Sequence, residues 1–455
     1  MRLPPLRKLA VPLLLGLGIV ATLGREMVFA WALGTSAALE EFRLAFGLPN
    51  TLAQTLGPAF IGVALPLLAQ AATRGPEAHR QMRQRLLRFN LMAVLGVALF
   101  GMLAAAPLAS LLAPGYAPWQ LESVASSLRI LFAFFALAAA SFHWRALLNQ
   151  GEVFWPGAGA SLAISMAFII GLPLWQQSGP LPGNGLAWLG VCGGGAVLLL
   201  HVLAKPSRVA QAIMRREQGE PGSAEESAKL EQQAQQDFAK PRLLLPMLAA
   251  ALYQISAAVP RFLDRGYATD LPQGGVAALE YSYNVITAPG ILFGTSFVML
   301  AYPAFVRSLA KNSPADALRR LKRPFLLLLG ATFAISLLVH FAATPLVTMF
   351  YQRGAYDQAA SAATVAVLAP QALGLMPMVA SMALAQGLLG LGALRLLLLL
   401  SATRIILRAT LLSWMLPESG LEGLGRAYAL TEVIGMLLAA ILFIWSLRQR
   451  RPTPA

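Results

Sequence analysis

The side chains with chemical potential in this chain are charges set inside long apolar runs. Arg25 and Glu26 close the first run. Glu40, Glu41 and Arg43 open the second. Arg129, His143 and Arg145 sit in the fourth, and Arg261, Asp264 and Arg265 end the seventh. Glu280 begins the eighth, Arg395, Arg404 and Arg408 lie in the eleventh, and Arg426 and Glu432 in the twelfth. A charge at the centre of a bilayer costs about 2.5–3.5 kcal/mol on insertion scales, so such groups pair or line a polar cavity. Arginine also reads phosphate bidentately in a low-dielectric site. The chemistry on offer is recognition of an anionic group within a membrane, not bond making or breaking.

Spacing gives several of these groups a purely structural account. Arg129 and Arg145 are within snorkelling reach of an interface. Arg261, Asp264 and Arg265 stand at i, i+3 and i+4 and can neutralise one another. Arg404 and Arg408, at i and i+4, repel and require an anion from the protein or from a ligand. For Arg25, spacing favours Glu40 over Glu26 as partner, because adjacent residues on a helix point apart.

Catalytic constellations are missing from the sequence. It contains no G-x-x-x-x-G-K-[ST], no Rossmann fingerprint, no H-E-x-x-H and no G-x-S-x-G. The four histidines, His79, His143, His201 and His340, are scattered, and Cys192 is the only cysteine. Neither a metal cluster nor an internal disulfide is therefore expected. No cofactor and no enzymatic activity are expected. A transporter of this composition would draw on an ion gradient, the membrane potential or the substrate's own gradient.

The elements that must hold these charges follow from composition. Of 455 residues, 57% are apolar and 12% charged, with a mean hydropathy of +0.64. A soluble domain carries about a quarter charged residues, so the apolar excess must face lipid. The net charge of +15 reads as cationic loops on the cytoplasmic side rather than as a nucleic-acid surface. About twelve stretches have the roughly 20 apolar residues that a spanning helix needs. They run near 9–33, 43–72, 86–112, 123–147, 153–174, 184–204, 243–263, 276–306, 324–350, 361–388, 390–415 and 421–447. Because Arg25, Glu26 and further spans follow the first, it is read as a helix and not as a cleaved signal.

Basic loops alternate with loops nearly free of cations, such as GTSAALEE, APGYAPWQLE and PESGLE. That alternation places both termini in the cytoplasm with an even number of spans. The long polar segment 205–242 divides the chain into an N-lobe (1–204, spans 1–6) and a C-lobe (243–455, spans 7–12). It reads as a cytoplasmic tether, and AEESAKLEQQAQQ within it suits a short surface helix. The halves look related: LPLLAQAATRGPEAHRQMRQR (65–85) resembles YPAFVRSLAKNSPADALRRLKR (302–323), and LLAPGYAPWQ (111–120) resembles MFYQRGAYDQ (349–358). Repeated halves are a transporter signature. Pro49, Pro66, Pro289, Pro303, Pro370 and Pro377 allow bends within spans.

The stretch GREMVFAWALGTSAALEEFRLAFGLPNTLAQTLGPAFIGVALPLL (24–68) resembles the start of the MurJ/MviN family of lipid II flippases. That family lies within the multidrug/oligosaccharidyl-lipid/polysaccharide (MOP) exporter superfamily. Arg25-Glu26, Leu33-Gly34, Glu40, Ala45-Phe46 and Leu48-Pro49-Asn50 stand in the places of the family's pattern. The likeness continues at 254–290 and at MFYQRGAYDQAA (349–360). The resemblance implies an all-α integral membrane protein of two six-helix lobes, MOP/MATE-like. In such a protein the lobes form a V and rock to expose a cationic cavity alternately, while a polyprenyl tail stays in lipid. It implies Arg25, Glu26, Glu40, Arg43, Asn50, Arg261, Arg265, Asn284, Arg404 and Arg408 as cavity residues.

The implied cargo is an undecaprenyl-(pyro)phosphate-linked glycan at the bacterial inner membrane. Its implied partners are membrane lipids, a coupling Na⁺ or H⁺, and glycan-synthesis proteins, with no nucleic acid. Some family arginines are replaced: one by Ile19 or a neighbour, one by Ala53-Gln54, one by Asn284. With about twelve spans against the fourteen typical of the lipid II members, this shortfall favours a cousin moving another lipid-linked glycan, such as an exopolysaccharide repeat unit. A MATE-like ion-coupled small-molecule antiporter is the alternative.

Overall fold

The computed structural model describes residues 5–73, 75–179, 184–217, 244–300, 305 and 314–449. The first half of the chain forms α1 (Pro5–Leu33), α2 (Ala37–Thr73), α3 (Pro76–Leu103), α4 (Ala105–Leu112), α5 (Pro118–Ala140), α6 (Phe142–Gln150), α7 (Trp155–Ala158), α8 (Ala160–Ser178), α9 (Gly185–Leu203) and α10 (Pro206–Glu217). The second half forms α11 (Leu244–Ala268), α12 (Gly275–Leu300), α13 (Pro314–Phe341), α14 (Ala343–Tyr351), α15 (Gln358–Ala372), α16 (Leu375–Gly390) and α17 (Leu394–Gln449). No strand occurs among the described residues. Eight of these helices, or nine counting the bent pair α15–α16 as one, are long and apolar enough to cross a membrane. Their exposed leucines, isoleucines and phenylalanines, such as Leu103, Phe100 and Phe341, are what a lipid-facing surface requires.

The sequence repeat has a structural counterpart. α3–α4 breaks at Ala104, whose N–H still donates to the Phe100 carbonyl at 2.8 Å. α13–α14 breaks at Ala342, whose N–H donates to the Leu338 carbonyl at 2.8 Å. Each broken helix is followed by a tight turn and a helix with a defined start. Pro118 opens α5, where Gln120 reaches back to the Ala117 N–H at 3.0 Å. Asp357 caps α15 through the Ala360 N–H at 2.8 Å. Both caps satisfy donors that a helix start leaves orphaned. The Pro-Glu-Ser-Gly segment expected to separate the last two spans holds Gly420, the non-helical residue inside α17.

Two compact units emerge. The first comprises the described residues of 1–28, 41–111 and 117–251. Its interior holds an aromatic group: Phe42 stacks on Phe46 with ring centroids 5.3 Å apart, and Phe168 and Phe134 pack against them. The second comprises 29–40, 112–116 and 252–455. It includes the α1–α2 turn, which meets the α14–α15 turn backbone to backbone, with the Ala355 N–H donating to the Trp31 carbonyl at 2.9 Å. Gly34 (φ +57°) and Gly354 (φ +62°) permit this approach, because a Cβ at either would lie 2.3 or 2.2 Å from the opposite carbonyl oxygen. Tyr281 donates to the Gly34 carbonyl at 2.9 Å and stacks near Tyr351 and Tyr356.

Of segment 205–242, α10 covers the start. Residues 218–242, with the expected surface helix, lie outside the described residues, as do 301–304 and 306–313 of the second repeat.

Candidate functional site: two buried charge clusters

In the first unit α1 delivers Arg25 and Glu26, and α2 delivers Arg43. Glu26 is 3% exposed and receives both arginines. Its Oε1 accepts from Arg25 Nε at 3.1 Å and Nη2 at 2.8 Å, and its Oε2 accepts from Arg43 Nη2 at 2.8 Å. Arg25 reaches the adjacent Glu26, its long guanidinium arm folding back along the helix. Arg25 Cζ also lies 5.9 Å from the Phe168 ring centroid, within cation–π range. Its side chain keeps 16% of its surface exposed, against 6% for Arg43.

The two carboxylates that follow have separate uses. Glu41 accepts from the Ser123 hydroxyl at 2.5 Å. Glu40, in the second unit, accepts the Ala277 N–H at 2.9 Å in the first turn of α12, where an anion suits unpaired helix N–H groups. Asn50 accepts from Gln54 Nε2 at 3.2 Å, one turn along α2.

The second unit holds a longer network. From α11 come Arg261, Asp264 and Arg265; from α12, Glu280 and Tyr283; from α17, Arg404, Arg408, Tyr428 and Glu432. Glu280 takes Arg265 Nε at 2.6 Å on one oxygen and Arg261 Nη2 at 3.0 Å on the other. Asp264 accepts from the Tyr283 hydroxyl and faces Arg408 Nη1 at 3.5 Å. Glu432 joins Arg404 at 2.5 Å to Arg408 at 3.3 Å. Arg408, 1% exposed, also lies over the Tyr428 ring at 4.8 Å.

Of Arg261, Asp264 and Arg265, both arginines reach Glu280, and Asp264 turns to Arg408 and Tyr283. The anion that Arg404 and Arg408 require is the protein's own Glu432. Asn284 donates to the Glu280 carbonyl at 2.8 Å in its own helix. Sequence reasoning passed over Tyr283 and Tyr428. Their signal is positional: Tyr283 lies one turn from Glu280, and Tyr428 one turn from Glu432.

The arginines with an accessible face are Arg25 (16%), Arg404 (23%) and Arg261 (42%). Each is held at one edge by a carboxylate. No group of His, Cys, Asp and Glu suited to a metal ion occurs among the described residues.

The fold is that of the MOP exporter superfamily. It superimposes on a lipid II flippase MurJ in an inward closed conformation with a TM-score of 0.73 at 15% identity, covering 98% of this chain and 90% of that one. It also superimposes on an inward-facing multidrug resistance MATE family transporter with a TM-score of 0.70 at 15% identity, covering 96% of each chain. Residues 29–454 match the family model of the lipid II flippase MurJ, and the chain belongs to that family. It is 24% identical over 436 residues to a probable lipid II flippase MurJ of Rhizobium meliloti, covering 92% of this chain and 77% of that protein. A lipid II flippase MurJ of Burkholderia cenocepacia is 24% identical over 378 residues, 81% of this chain and 70% of its own. The protein is a multi-pass transporter of the bacterial inner membrane.

Proposed function

We propose that this protein flips a polyprenyl-pyrophosphate-linked glycan of the lipid II type across the inner membrane by alternating access. In this reading the chain crosses the membrane about twelve times with cytoplasmic termini, and residues 205–242 serve as a tether. The observation that supports the reading best is the set of arginines carried by apolar helices, each paired with a buried carboxylate and each with an accessible face. A pyrophosphate offers several acceptor oxygens to such donors. Arg25, Arg261 and Arg404 are the proposed contacts. Arg43, Arg265 and Arg408 hold the carboxylates that orient them, and Glu26 serves the same purpose. A Na⁺ or H⁺ gradient or the membrane potential supplies the driving force.

A second cargo, an exopolysaccharide repeat unit on the same carrier, is favoured by one observation. The carboxylates inside both clusters offset most of the arginine charge, which suits a less anionic head group than lipid II. Complementation separates the two. In cells depleted of their own lipid II flippase, this chain should restore growth and surface exposure of lipid II, and Arg25→Ala at equal abundance should not. Rescue of capsule export alone would assign the second cargo. Efflux of cationic dyes by the purified protein in vesicles, without glycan flipping, would assign a MATE-like antiporter instead.

A further inference from the structure

A pocket of about 670 Å³ opens on the first unit, and no residue of either charge cluster lines it. α3 contributes Arg83, α6 contributes His143 and Trp144, and the α9–α10 junction contributes Lys205, Ser207 and Arg208. Three cations line it and no carboxylate does. None of the three has an ion-pair partner among the described residues. His143 is 1% exposed, and its Nδ1 has no hydrogen-bond partner.

The pocket is built rather than incidental. Lys205 adopts φ +53°, a left-handed conformation that a lysine rarely takes and that clusters at functional sites. This conformation ends α9 and starts the twelve-residue α10 at the pocket, which Ser207 in the first turn of α10 helps to line. α10 is fixed in place: Ala210 is buried, and Val209 packs so closely on Gly151 that a Cβ there would lie 2.1 Å from it. Leu87 and Leu147 give it an apolar side, and Trp144 packs against the buried cluster to which Leu147 belongs.

We propose that this pocket binds the phosphodiester head group of an anionic phospholipid. The lipid source is favoured over free phosphate by what adjoins the pocket. Val202 lines it, and Leu203, Leu199 and Phe89 expose more than half of their surface on α9 and α3 close by. Acyl chains can lie along those faces while the head group meets Arg83, Lys205 and Arg208. The basic end of the unit is the one the charge rule assigns to the cytoplasm, and basic pockets between helices on that side suit anionic lipid head groups. Trp144 has the amphipathic ring expected at that depth.

The test uses the full-length protein in detergent, titrated with phosphatidylglycerol or phosphatidylcholine, with bound lipid counted by native mass spectrometry. Wild type should retain phosphatidylglycerol preferentially. Arg83→Gln/Arg208→Gln should weaken that retention roughly fivefold per cation, about 25-fold in all. Arg85→Gln/Arg88→Gln removes the same charge from exposed positions on α3 outside the pocket and should match wild type. Equal retention by the two double variants overturns the proposal. Lys205→Gln, on an exposed turn, provides a second readout if the first variant unfolds, and it should lose about fivefold. Displacement of the lipid by millimolar inorganic phosphate assigns the site to free phosphate and overturns the lipid reading; persistence of the lipid supports it.

Discussion

The two charge clusters use the same residue types in different ways. In the first unit one carboxylate, Glu26, serves two arginines, and removing Arg25 leaves Glu26 paired with Arg43 at 2.8 Å. In the second unit the chain Arg404–Glu432–Arg408–Asp264–Tyr283 runs through three helices, and its middle members are 1–3% exposed. Removing a carboxylate there strands a guanidinium in low dielectric. A buried pair contributes little net stability, but breaking one is costly. The first cluster is therefore free to exchange a protein partner for a ligand, whereas the second ties α11, α12 and α17 together.

This contrast is sharpest at Glu432. Glu432→Ala should destabilise the protein by about 3–5 kcal/mol, seen as loss of membrane abundance or early unfolding in a denaturant series. An unchanged midpoint would remove the structural role given to the network. Next comes Gly34→Ala, which forces an alanine into φ +57° against the Ala355 carbonyl. A cost of about 1–3 kcal/mol is expected, and Gly62→Ala, at a position with open space around it, should cost much less in the same assay. Tyr283→Phe removes a hydroxyl donated to Asp264 and should cost about 1.5–3 kcal/mol, as for a hydrogen bond to a charged group. Arg25→Ala, which leaves Glu26 paired with Arg43, should destabilise the protein less than Glu432→Ala does, while abolishing flipping. Strong destabilisation by Arg25→Ala would erase the distinction between the clusters.

Much of the molecule is legible in its sequence. Apolar runs of bilayer length announce the helices, and Gly420 falls inside the expected Pro-Glu-Ser-Gly break. The repeat between halves recurs as paired helix breaks at Ala104 and Ala342. The requirement of Arg404 and Arg408 for an anion follows from their i, i+4 spacing alone. What spacing could not supply is the identity of that anion, because Glu432 is 24 residues from Arg408 and meets it only where α17 folds back at Gly420. The contact of Arg25 with Glu26 was not legible from spacing either, since it depends on the reach of the side chain rather than on backbone direction.

The sequence by itself determined that the chain lives in a membrane, where its helices run and that its intramembrane charges need partners. Those follow from transfer free energy and local periodicity, which act along the chain. Only the tertiary structure decided which carboxylate meets which arginine and which arginines keep an open face. It also decided that Arg83 shares one pocket with Lys205 and Arg208, which lie far along the chain from it. Such outcomes depend on distances across helices, which the order of residues does not encode.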